Sequence, residues 1–84
     1  MDITRRDLLD FGFEMMGKHD SFEFVIKQYG GYHDFVFFNV EHKRLVIQYH
    51  LNEVELHECD LEKANAALQL VGLPDISKLQ KEED

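Results

Sequence analysis

The sequence predicts an α+β domain ordered α-β-β-β-β-α: a four-stranded antiparallel meander with two helices packed on one face. Three observations predict it. Gly30-Gly31 separates two runs rich in Phe, Val, Ile and Tyr, residues 44–58 alternate apolar and polar side chains, and apolar residues recur at helical spacing near both ends. An 84-residue chain of 44% hydrophobic composition can bury one core and not two, so residues 1–80 are expected to form a single domain.

Taken in order, Thr4 and Asp7 are spaced as a capping box, and a helix is expected from there to about Met16. Leu8, Phe11 and Met15 would share one side of it, with Leu9, Phe13 and Met16 beside them. Gly12 falls within that helix, which suggests close approach to the sheet.

The first strand runs from Phe22 to Gln28. A type I′ turn at Gly30-Gly31 sets Tyr29 opposite Tyr32, Lys27 opposite Asp34, Ile26 opposite Phe35 and Phe24 opposite Phe37. This register collects Phe22, Phe24, Ile26, Phe35 and Phe37 on one face, the core face. A three-residue loop at 41–43 then places Phe37 opposite Ile47 and Phe35 opposite Tyr49. The next hairpin sets Leu51 opposite Val54 and Tyr49 opposite Leu56.

Asp60 is a natural N-cap for a helix from Leu61 to Val71. Gly72 suits the left-handed position after it, Leu73 can fold back on Leu68, and Pro74 prevents continuation. Residues 81–84 are expected to be a disordered acidic tail.

Charge excludes several functions. Nine basic against seventeen acidic residues give −8, which opposes direct nucleic-acid binding and an anionic membrane surface. The single cysteine, Cys59, allows no internal disulfide and fits a reducing, cytoplasmic location. The N-terminus lacks the apolar run of a signal peptide, and nowhere do the roughly 20 apolar residues of a membrane span occur.

Candidate chemistry lies on the reverse face of the sheet. Asp34, His50 and Glu55 would form a polar row with His57 diagonal to it, and His50, His57 and Asp34 are the candidate metal ligands. The spacing matches no ligand motif, so neither a metal nor a cofactor is expected. Cys59 precedes a helix N-terminus with His57 two residues back, the pattern of an activated thiol. It equally suits a small buried side chain opposite Val46, and no oxyanion donor or orienting group accompanies it.

The apolar part of that face is Val25, Val36, Phe38 and Val46, rimmed by Tyr29 and Tyr32, and these six residues are the candidate partner-binding surface. The first strand adds a weakly protected edge. The chain is therefore expected to be a non-catalytic protein–protein interaction module, homodimeric through that patch or edge. The alternative is an acidic antagonist of a basic or nucleic-acid-binding protein; the second alternative is metal binding through His50 and His57. On the first expectation, Phe38→Asp abolishes association and leaves the fold intact.

Overall fold

The computed structural model describes residues 1–82. It is an α+β fold whose sheet has five strands in sequential antiparallel order, one more than the sequence pattern indicates. The elements are α1 (Arg5–Asp10), β1 (Glu14–Met16), β2 (Ser21–Tyr29), β3 (Tyr32–Asn39), β4 (Arg44–Tyr49), β5 (Asn52–Leu56), α2 (Leu61–Leu70) and a 3₁₀ turn (Ile76–Lys78).

The extra strand exists because α1 stops early. Its capping box forms as expected, with Thr4 Oγ1 accepting from the Asp7 N–H at 3.1 Å and Asp7 Oδ2 from the Thr4 N–H at 3.0 Å. Gly12 then takes φ +93°, and the N–H groups of Gly12 and Phe13 donate to the Leu9 and Leu8 carbonyls. That is a Schellman closure, with Leu8 and Phe13 as its apolar pair. The helix expected to reach Met16 therefore ends at Asp10, and Glu14–Met16 are free to pair with Glu23–Ser21.

The β2–β3 hairpin begins in the expected register, Tyr29 opposite Tyr32 and Lys27 opposite Asp34, with Gly30 at φ +58°. Ile26 then stands as a bulge, and the next pair is Val25 with Phe35. One unpaired residue reverses the facing of every later partner. Phe24 lies opposite Val36 and Phe22 opposite Phe38, so Val36 and Phe38 enter the core while Phe35 and Phe37 turn to the reverse face.

A second slip follows. Asn39 pairs with Arg44 across a four-residue connection, which places Phe37 opposite Val46 and Phe35 opposite Gln48, not Ile47 and Tyr49. The two slips cancel. Leu45 and Ile47 face the core as the alternation of β4 demands, and so do Val54 and Leu56 across from them. The β4–β5 turn comes two residues earlier than expected: His50 and Leu51, at φ +49° and +69°, are its central pair, so Tyr49 pairs with Asn52 and not Leu56, and Val54 pairs with Ile47 and not Leu51.

Two cross-strand rows build the floor of the core, Phe22–Phe38–Leu45–Leu56 and Phe24–Val36–Ile47–Val54. Over them pack Ile3, Leu8 and Phe13 from the N-terminal segment and Ala64, Ala67 and Leu68 from α2. Each fully buried Phe, Leu or Ile contributes roughly 1.5–3 kcal/mol. Asp60 Oδ1 caps α2 by accepting from the Lys63 N–H at 2.9 Å, and Leu73 closes its far end through its N–H to the Leu68 carbonyl. Asn65 Oδ1 accepts from the Ile76 N–H at 2.9 Å, so Ile76 and Leu79 join this core and do not fold over the reverse face.

The edge of β2, expected to be open, is occupied. β1 pairs along Ser21–Glu23, and farther on the Glu82 N–H donates to the Ile26 carbonyl at 2.7 Å. Of the tail expected at 81–84, residues 83 and 84 lie outside the described residues. No helix among the described residues is long and apolar enough to cross a membrane.

Candidate functional site on the uncovered sheet face

Both helices lie over one face, and the other presents three cross-strand rows. Register fixes them: Glu14–Glu23–Phe37–Val46–Glu55, then Val25–Phe35–Gln48–Glu53, then Met16–Ser21–Asn39–Arg44. Val25, Phe35 and Phe37 are partly exposed and lie outside the core cluster, while Val46 between Phe37 and Glu55 is 9% exposed. Met16, Glu23, His33, Phe35, Phe37, Arg44 and Val46 line an open basin of about 330 Å³.

Of the carboxylates around the basin, Glu23 and Glu55 are paired and, among the described residues, Glu14 and Glu53 are not. His33 Nε2 sits 2.9 Å from Glu23 Oε1, and the His33 ring packs at 5.0 Å on Phe35. Arg44 Nε donates to Glu55. Glu14 and Glu53 are exposed and make no ion pair among the described residues. The basin lining holds no hydroxyl or thiol nucleophile for the His33–Glu23 pair to activate, so the pair fixes the ring against Phe35.

Of the six residues expected to form the patch, Val25 and Val46 lie on this face. Val36 and Phe38 do not: both are fully buried on the core face, turned there by the bulge at Ile26. Phe38→Asp would consequently unfold the protein. Tyr29 and Tyr32 share the core side of the sheet with Lys27 and Asp34, at the hairpin's turn, and do not rim the basin. Phe35, Phe37, Glu23, His33 and Met16 take those places. The sequence offers little warning, because β3 is apolar in both phases, at 35/37 and at 36/38.

The expected polar row is dispersed. Asp34 is buried on the core face, where its Oδ1 accepts from the Tyr29 hydroxyl at 2.8 Å. That bond stabilises the protonated phenol and pushes the Tyr29 pKa up. His50 occupies the β4–β5 turn with its ring on Tyr49, and His57 is exposed beside Glu55. Among the described residues no three His, Cys, Asp or Glu side chains gather as a metal site.

Cys59 is 1% exposed, and its thiol donates to the Asp60 carbonyl at 3.3 Å. Burial, then the neighbouring Asp60 charge, push its pKa up to about 11, against a partial opposing pull from Lys63. A thiol so held is a packing group and not an activated nucleophile.

No family model, curated protein or solved structure matches the chain. Its function has to be argued from this surface.

Proposed function

We propose that the chain is a non-catalytic interaction module that docks a partner protein on the uncovered sheet face. One observation carries the reading: Phe35 and Phe37 stand side by side with Val25 and Val46 on a face that neither helix covers. Apolar surface gathered in this way gains free energy when a second surface removes it from water, about 25 cal/mol per Å². Dimerisation through the β2 edge loses its support, since that edge is already paired, while association through the face keeps it.

The experiment compares immobilised wild type, Phe37→Ser and an exposed-turn control, Leu51→Ser, in crosslinking capture and in sedimentation. Partner or self-association retained by wild type and control and lost in Phe37→Ser supports the reading. Equal behaviour of all three overturns it.

A further inference from the structure

Resting on that reading, we infer that the occupant of the face is an amphipathic helix of a partner protein, with Lys or Arg along both flanks of its apolar stripe. Three features of the surface lead to it.

The first is the state of the backbone. β1 on Ser21–Glu23 and Glu82 on Ile26 occupy the β2 edge at those positions, and the outer strands of the sheet, β1 and β5, flank the apolar residues without carrying them. Recognition falls to side chains, on a sheet face that has no layer over it.

The second is shape. Val25, Phe35, Phe37 and Val46 span three adjacent strands, roughly 10 Å across at about 4.8 Å per strand. That is the width of one helix with its side chains. A helix laid here would supply a third layer over the sheet.

The third is charge. Glu14 and Glu23 stand at the β1–β2 margin of the face, and Glu53 and Glu55 at the β5 margin. Glu23 is held by His33 and Glu55 by Arg44, which leaves Glu14 and Glu53 as exposed carboxylates without an ion pair among the described residues, one on each margin, with Lys81 lining the same pocket as Glu14. Both margins being acidic, a second copy would meet acid with acid in either orientation, and nucleic acid is repelled for the same reason. A helix with a basic flank on each side meets both margins with opposite charge.

The test uses three labelled peptides of about 18 residues, five helical turns. One is a Leu/Lys amphipathic helix, one carries Glu in place of Lys, and one carries Ser in place of Leu. Fluorescence anisotropy reads affinity, and amide shift mapping on the full chain reads location. The Leu/Lys peptide is expected to bind alone of the three and to move the signals of Phe35, Phe37 and Val46. Phe37→Ser is expected to weaken it at least tenfold. Glu14→Lys combined with Glu53→Lys, both at exposed positions that leave the fold intact, is expected to do the same and to flatten the salt dependence.

Equal binding of the Leu/Lys and Leu/Glu peptides overturns the inference and leaves the docking reading standing. So does absence of peptide binding by a protein that sediments as a dimer and is split by Phe37→Ser, because the occupant is then a second copy. Absence of binding by a monomer overturns both. Binding that maps away from Phe37 overturns the inference as well.

Discussion

Phe37 and Phe38 are neighbours in sequence with opposite surroundings, and replacing each with Ala tests the strand phase on which the site depends. Phe38 is fully buried between Phe22 and Leu45, so Phe38→Ala loses both transfer free energy and a cavity term, about 3–5 kcal/mol. Phe37 is half-buried on an open face where water fills the space, so Phe37→Ala costs about 1 kcal/mol, near half the value of full burial. For 84 residues the total stability is of the order of 4–13 kcal/mol. Urea unfolding followed by circular dichroism separates the two. With a slope of about 1 kcal/mol per M, Phe37→Ala shifts the midpoint down by about 1 M. Phe38→Ala shifts it by about 3 M or more, or leaves the chain unfolded in water. Equal shifts, or a larger one for Phe37→Ala, would refute the bulge at Ile26 and with it the composition of the docking face.

Further outcomes follow from three local features. Leu51 is almost fully exposed at φ +69°, a conformation costing a non-glycine residue about 1–2 kcal/mol, so Leu51→Gly removes strain without losing packing. Offset by the entropy of glycine in the unfolded chain, the net gain is about 0.5–1 kcal/mol, and calorimetry should show Tm higher by about 2–8 °C. Cys59, with its pKa raised from 9.0 to about 11, should resist a disulfide reagent at pH 8 until the protein is unfolded. A raised folded-state pKa stabilises below the unfolded value, so this contribution is intact at neutral pH and declines as pH rises from 9 to about 11, measurable by urea midpoints across that window. Gly12→Ala forces a side chain into φ +93° with its Cβ 3.4 Å from the Phe24 ring and should cost at least about 1 kcal/mol, whereas Gly31→Ala, with open space around it, should change the urea midpoint far less.

The parts of this fold legible in the sequence are those whose signals are local. The capping box at Thr4 and the Asp60 N-cap read directly, as does the Leu68–Gly72–Leu73 closure of α2. The same signature stands at Leu8–Gly12–Phe13, but no proline follows it, and Met15 and Met16 continue the helical period. Tertiary pairing with β2 overrides that period. The candidate site was half legible. Val25 and Val46 are readable because β2 before its bulge and β4 both alternate cleanly. The phase of β3 is not, because the bulge at Ile26 carries no glycine or proline to mark it and both phases of Phe35-Val36-Phe37-Phe38 are apolar. Asp34 lies opposite Lys27 and near Tyr29 in either register, but the bulge at Ile26 is what puts this part of the hairpin on the core side, so its burial is not readable either.

The strip along β2 is completed from two distant places, residues 14–16 and residue 82. A chain emerging from the ribosome therefore leaves the Ile26 carbonyl to water until Glu82 has been synthesised. Cleavage of the chain ahead of Glu82 would reopen that stretch of backbone to other chains even though every helix and strand were already in place.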